Sequence, residues 1–277
     1  MSHLLIVSCA DETGLIAKVT TALFERNLNI TSNWEFVDQQ NKRFFMRADF
    51  DGDCDIEGLR TDLATKLPKD ADITIEPPRR KRIVLMGTKE SHCLGDLLLR
   101  ADADDLNGDI LGVVSNHDTL QPLVSRFDIP YHFVSHENID RRAHEDMLHQ
   151  ILEAYDPDYI VLAKYMRILS PDFVAQYAGK MINIHHSFLP AFIGAHPYKQ
   201  AYQRGVKIIG ATAHFVTNDL DEGPIISQQV IPVDHSHSIR DMSRAGQDVE
   251  KITLAKALQL VLEDRVVVTG NRTVIFE

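Results

Sequence analysis

Two adjacent prolines followed by four cations, Glu76-Pro77-Pro78-Arg79-Arg80-Lys81-Arg82, constrain the fold of this chain more than any other stretch. Neither proline can donate a backbone hydrogen bond and neighbouring like charges repel, so the stretch is expected to be extended and solvated. At 277 residues the chain has room for two domains, and this is where they should part. The expected division is a first domain over 1–77, a linker over 78–82 and a second domain over 83–277. The cations could instead form a nucleic-acid patch or an anion clamp, but a short charge run beside Pro-Pro is ordinarily a linker.

Before the break, the hydrophobic pattern reads β-α-β-β-α-β. Leu4-Leu5-Ile6-Val7 is a strand, and Ile16, Val19 and Leu23 recur at helical spacing over 14–27. The stretches 30–37 and 43–50 alternate as strands, joined by the turn-rich Asp38-Gln39-Gln40-Asn41-Lys42. A second helix follows through Ile56, Leu59, Leu63 and Leu67, then a last strand at Ile73 and Ile75. That order is a ferredoxin-like sheet with both helices on one face.

After the break, strands and helices alternate. Ile83-Val84-Leu85-Met86-Gly87 is a continuous apolar run, as in a strand buried on both faces. Helical patterns at 93–101 and 139–155 are interleaved with strands at 109–114, 159–163, 180–184 and 208–216. An α/β fold with a mostly parallel, Rossmann-like sheet is expected. A long amphipathic helix over 239–262 follows, then a hairpin around Gly270-Asn271.

The formal net charge of −11 disfavours nucleic acid and anionic membrane surfaces as partners. Cys9, Cys54 and Cys93 are scattered and odd in number, which fits a reducing compartment rather than a disulfide framework. The start, MSHLLIVSCADETG, lacks a basic region before its apolar run, and no apolar stretch is long enough to span a bilayer. A cytoplasmic location is the expectation.

Two segments carry chemistry. In Met181-Ile182-Asn183-Ile184-His185-His186-Ser187-Phe188-Leu189-Pro190, Asn183 and His185 share a strand face while Ile182 and Ile184 enter the core. The carboxyl end of a parallel strand is where open α/β sheets place ligands. An amide donor and a titratable imidazole there could hold a carbonyl oxygen as it becomes an oxyanion. In Gly210–Ile226, a strand containing His214 leads into an acidic turn with Asp221 at its tip, where a carboxylate can act as a base. Taken singly, the first segment could merely end a strand, the second could be a solvated turn, and His214 could be a core histidine.

Together these segments resemble the formyltransferase fold that uses 10-formyltetrahydrofolate. The matching pieces are Asn183-x-His185, Leu189-Pro190, His214-Phe215-Val216 and Asp221-x-Gly223-Pro224-Ile225-Ile226, and upstream Leu162-Ala163-Lys164-Tyr165-Met166-Arg167-Ile168-Leu169-Ser170 is similar to that family's pterin-pocket loop. The resemblance implies that Asn183 and His185 polarise the formyl oxygen, with His185 also protonating the departing folate nitrogen. It implies that Asp221 orients or deprotonates the nucleophile. Met166, Arg167, Ile168 and Leu169, with His214 and Val216, would hold the substrate.

Three branches of the family differ in their acceptor. The loop after the first strand, Gly87-Thr88-Lys89-Glu90-Ser91-His92-Cys93-Leu94-Gly95-Asp96, lacks close-spaced glycines and carries Glu90. It therefore suits the phosphorylated amine of the glycinamide ribonucleotide branch poorly. The methionyl-tRNA branch carries a C-terminal barrel and a basic surface for tRNA, and this acidic chain is expected to suit that role poorly.

The remaining branch, the formyltetrahydrofolate deformylases, uses water and places an ACT domain ahead of the formyltransferase core. Asp11-Glu12-Thr13-Gly14-Leu15-Ile16-Ala17 resembles the ACT turn, with Asp11, Gly14 and Leu15 as the regulatory candidates. Residues 185–190, Phe192-Ile193-Gly194-Ala195-His196-Pro197-Tyr198 and Arg244-x-Gly246-x-Asp248-Val249-Glu250-Lys251 are also similar to the deformylase pattern.

The implied enzyme is a hydrolase of a linear amide C–N bond. It would convert 10-formyltetrahydrofolate and water to tetrahydrofolate and formate, balancing one-carbon pools and supplying formate for purine biosynthesis. No metal or other cofactor is expected, and His235-Ser236-His237 reads as a loop ahead of the last helix. Self-association and a small amino-acid effector, such as glycine or methionine, are the expected partners besides the folate. Lys199, Arg204 and Lys207 are positional candidates for the polyglutamate tail, while His136 and Arg141 are left unassigned. A rival reading is an amino-acid sensor with an inert second domain, and retention of Asn183, His185 and Asp221 argues against it.

Overall fold

Alternating apolar residues pair the first strands into an antiparallel sheet whose inner side chains lie on one face. The computed structural model describes residues 2–191 and 197–277, in two compact units, the first running to Arg79 and including Phe276 and Glu277, the second spanning Arg80–Ile275. In the first unit the elements run β1 (Ser2–Ala10), α1 (Leu15–Phe24), β2 (Asn29–Asp38), β3 (Arg43–Asp51), α2 (Ile56–Lys66) and β4 (Asp72–Glu76). The sheet order is β2-β3-β1-β4, with all pairs antiparallel. Leu5, Val7, Phe44, Met46 and Phe50 face Leu15, Val19, Leu23, Leu59 and Leu63 from the two helices in one core. This is the expected ferredoxin-like arrangement.

Gly14 caps α1 with φ at 91°, a left-handed conformation that glycine adopts without steric cost. A Cβ there would meet nothing within 4 Å, so the backbone angle, rather than close packing within the unit, calls for glycine. Asp11 and Gly14 are exposed, whereas the Leu15 side chain is turned into the core. Leu15 therefore contributes packing and could offer a ligand only its backbone, which narrows the expected regulatory set.

The second unit begins with β5 (Lys81–Gly87), so the strand takes in Lys81 and Arg82, two residues of the expected linker. The cations are not simply solvated. Lys81 is buried with Nζ 2.9 Å from Asp264, and Arg80 bonds Asp109 at 2.7 Å and Asp104 at 2.9 Å. Arg80 and Lys81 each meet an acidic side chain brought from elsewhere in the fold, which a local charge pattern could not reveal.

The chain continues through α3 (His92–Asp102), β6 (Gly108–Ser115), α4 (Gln121–Val124), β7 (Tyr131–Phe133), α5 (Arg141–Tyr155), β8 (Tyr159–Leu162) and α6 (Pro171–Gln176). It ends through β9 (Met181–His185), α7 (Pro197–Arg204), β10 (Ile208–Phe215), β11 (Ile225–Pro232), α8 (Ile239–Leu262), β12 (Val266–Thr269) and β13 (Arg272–Ile275). The large sheet has the order β11-β10-β9-β8-β5-β6-β7. Its five strands from β9 to β7 are parallel, and β10 and β11 add an antiparallel edge. β12 and β13 form the expected hairpin.

Parity divides the core of this unit. Ile83, Leu85, Val113 and Val161 pack toward α3 and α8, while Val84, Met86, Ile160 and Leu162 pack toward α5 and α6. Burial on both faces is why β5 reads as an unbroken apolar run. Ser238 caps α8 in a reciprocal box with Asp241, which fixes its start just after the His235–His237 loop. Strand order reverses between β5 and β8, making their carboxyl ends the topological switch point. Among the described residues no helix is long and apolar enough to cross a membrane.

Candidate active site

The face of β9 that carries Met181 turns polar toward its carboxyl end. Met181 is in the core, but Asn183 and His185 on the same face line a cavity of about 620 Å³. Ile182 and Ile184 take the opposite face into the α8-side core. The alternation expected from sequence thus places both polar side chains in the cavity. His214 pairs directly across from Asn183 in the β9–β10 register, which brings the two side chains together. Asn183 Nδ2 donates to His214 Nε2 at 3.3 Å, while His214 Nδ1 donates to the Phe215 carbonyl at 2.8 Å. With Nδ1 carrying the proton, Nε2 keeps the lone pair that receives Asn183. Burial lowers the His214 pKa, with partial opposition from the Phe215 bond, so this neutral form is favoured.

Asp221 lies in the turn between β10 and β11, and its φ of 58° puts it in the left-handed region. Its Oδ1 is 3.3 Å from His185 Nδ1 and 3.8 Å from His214 Nε2. Burial alone would raise the Asp221 carboxyl, but the bond from His185 and the His185 charge outweigh it and hold the group below the usual range. His185 Nε2 is buried and has no hydrogen-bond partner among the described residues. It is the nitrogen left to serve a bound substrate. An amide donor, an imidazole and an ionised carboxylate therefore meet at one end of the cavity, a set suited to acyl transfer.

The apolar part of the cavity is built by the loop after β8. Met166, Ile168 and Leu169 line it with Val216 and Leu220, and Arg167 also contributes. Met166 N donates to Thr88 Oγ1 at 2.9 Å, and Arg141 donates to the Ile168 carbonyl. The buried Glu145 accepts from Ser170 N at 2.8 Å and from the Ser170 hydroxyl. α5 thus grips the far end of the loop, giving Arg141 a structural partner. All nine residues named from sequence for catalysis and substrate binding line this one cavity. Lys199, Arg204 and Lys207 are exposed and do not line it. Residues 192–196 of the quoted deformylase-like segment lie outside the described residues.

Sequence reasoning assigned no role to Thr88, Glu145, Lys164, Tyr198 or Glu250. All but Glu145 lay within the segments singled out from sequence, and a spacing pattern cannot tell that Glu250, on a long amphipathic helix, is 1% exposed. His92, Cys93 and Glu250 place possible ligand atoms within 4.8 Å of one another. Glu250 Oε2 is already taken by His92 at 2.8 Å and Lys164 at 3.2 Å, and burial followed by Glu250 pushes the Cys93 thiol far up. That set is poorly prepared for a cation, which needs a thiolate and a free carboxylate oxygen.

Comparison with known proteins agrees with this geometry. The family described as Formyl transferase matches residues 81–258, and the ACT domain family matches 3–53. A formyltetrahydrofolate deformylase of Escherichia coli is 55% identical over 267 residues, covering 96% of this chain and 95% of that protein. The crystal structure of a formyltetrahydrofolate deformylase from Pseudomonas syringae pv. tomato superposes with a TM-score of 0.95 at 43% identity, covering 100% of this chain and 94% of that one. Glycinamide ribonucleotide transformylase 1 from Symbiobacterium toebii matches with a TM-score of 0.69 at 29% identity, over 73% of this chain and 97% of that one.

Proposed function

The chain belongs to the formyltetrahydrofolate deformylase family, and from that premise we propose that it hydrolyses 10-formyltetrahydrofolate to tetrahydrofolate and formate. The observation that carries the reading is the meeting of Asn183, His185 and Asp221 beside an apolar pocket built by the 166–169 loop. The pterin ring lies against Met166, Ile168, Leu169 and Val216. The formyl oxygen accepts from the Asn183 amide and from His185. Asp221 takes a proton from water as its oxygen attacks the formyl carbon. The bond from carbon to the folate nitrogen then breaks, His185 delivers a proton to that nitrogen, and formate leaves. A positioned base with an oxyanion site is sufficient for such an amide, and no step calls for a metal.

The ACT unit supports a regulatory role. Asp11 and Gly14 present an exposed turn to an amino-acid effector, and the edge strand β2 exposes Phe36 and Val37 for self-association. Sedimentation at several protein concentrations, with and without glycine or methionine, tests both points.

Asp221→Asn tests the mechanism. It should lower kcat by about 10²–10⁴, the usual contribution of a general base, and leave folate binding largely intact. An Asp221→Asn enzyme that turns over normally would refute the assignment.

A further inference from the structure

Five side chains that this mechanism does not use converge from different parts of the fold, four of them lining the polar end of the cavity and His92 joined to them through Glu250. His92 opens α3, Lys164 follows β8, His186 follows β9, Tyr198 lies in α7 and Glu250 in α8. Glu250 Oε1 accepts from the Tyr198 hydroxyl at 2.6 Å, and Oε2 accepts from His92 Nε2 at 2.8 Å and Lys164 Nζ at 3.2 Å. Lys164 Nζ also lies 3.2 Å from His186 Nδ1, which can accept from it only when unprotonated. Burial would raise the Glu250 carboxyl, but His92, Lys164 and Tyr198 outweigh it and hold it at about 2. The carboxylate therefore stays ionised.

Two backbone features serve this arrangement. A Cβ on Gly246 would sit 2.1 Å from the Tyr198 hydroxyl, so glycine there lets the tyrosine ring lie on α8 and reach Glu250. Lys164 itself has φ of 64°, a left-handed conformation uncommon for lysine. Gly246 and Glu250 belong to one deformylase-like segment, and Tyr198 to another, neither of which the catalytic groups explain.

The location gives the network a meaning. The carboxyl ends of β5 and β8 flank the switch point, and α3 starts just after β5. In such sheets the start of that helix ordinarily receives an anionic group of a substrate. Here the chain's own carboxylate bonds the first residue of α3, with Lys164 neutralising it, and Glu90 lies 3.6 Å beyond on His92 Nδ1.

We propose that the Lys164–Glu250 pair, braced by His92 and Tyr198, is the acceptor-selecting element: it occupies the place an anionic amine acceptor would take and leaves water as the nucleophile. The inference deepens the deformylase reading and rests on it. Removing the pair should let an amine attack the formyl carbon and lose its proton to Asp221. The folate nitrogen would then leave with a proton from His185, giving an N-formyl amine in place of formate.

The test is a double variant, Lys164→Gly with Glu250→Gln. It removes both charges together, so neither is left buried and unpaired, and glycine suits the left-handed backbone. Both proteins are given 10-formyltetrahydrofolate with increasing 2-aminoethyl phosphate, an amine that carries an anionic group, and formate and the N-formylated amine are quantified by mass spectrometry. The wild type is expected to yield formate alone. The double variant is expected to yield the N-formylated amine in a fraction that rises with the amine. A double variant that binds folate as the wild type does, yet yields only formate, overturns the proposal, as does N-formylated amine from the wild type. Should the double variant fail to fold, inorganic phosphate added to the wild type decides: no change in formate release supports an occupied anion position, and competition with substrate overturns it. A wild type that releases no formate from water alone would refute the deformylase reading itself.

Discussion

His214 sets the direction of the Asn183 amide. Because its Nδ1 proton is committed to the Phe215 carbonyl, Nε2 can only accept, and it accepts from Asn183 Nδ2. The amide is thereby held with its donor end toward His214, and its second N–H is the group available to a developing oxyanion. Asn183→Ala should lower kcat by about 10²–10³, the usual effect of losing one oxyanion donor. His214→Phe should cost less, and combining it with Asn183→Ala should add little, because His214 acts through the amide. Steady-state kinetics of the two single variants and the double variant check this, and fully additive losses would contradict it. Asn183 and His185 could be read from strand parity and motif order, and Asp221 from motif order and its place at the tip of an acidic turn. Glu145 and Glu250 could not, since a glutamate in a helix looks the same in sequence whether solvated or buried.

Among the elements, α5 holds the 166–169 loop, for which we propose the pterin contact, without itself lining the cavity. Glu145 binds both polar hydrogens of Ser170, and Arg141 holds the Ile168 carbonyl. Glu145→Ala should raise KM by roughly tenfold, about 1.4 kcal/mol, and leave kcat nearly unchanged, the signature of lost uniform binding. An equal fall in kcat with unchanged KM would argue against that role. α8 makes the complementary prediction for pH. With its folded pKa at about 2 against the ordinary 4.5, Glu250 contributes on the order of 3 kcal/mol. Because the folded value is depressed, that contribution is full above 4.5 and fades as pH falls toward 2. The difference in Tm between wild type and Glu250→Gln should therefore be largest above pH 5 and shrink below it, and a gap independent of pH would contradict the assignment. The long helices and buried strands of this unit were legible because each shows many periods of its pattern. β7 spans only Tyr131–Phe133 and α6 only Pro171–Gln176, too short to show one. The antiparallel direction of β10 was invisible because a buried strand's apolar run carries no sign of orientation.

For the whole molecule, the Pro-Pro break and the change from antiparallel to alternating pattern marked two units, whose boundary the structure places between Arg79 and Arg80. The linker was read too long because Lys81 and Arg82 looked solvated, whereas Lys81 is buried against Asp264. Charge along a sequence does not disclose charge across a fold. The function follows from one cavity with three reactive groups at one end and an apolar loop alongside. The acceptor is what separates hydrolysis from formyl transfer in such a site. The most direct test is formate release from 10-formyltetrahydrofolate by the purified protein with no amine present. Steady turnover with water alone, with labelled oxygen from the water appearing in formate, is the expected result. Release that begins only when an amine is added would contradict it and move the protein to the transferases.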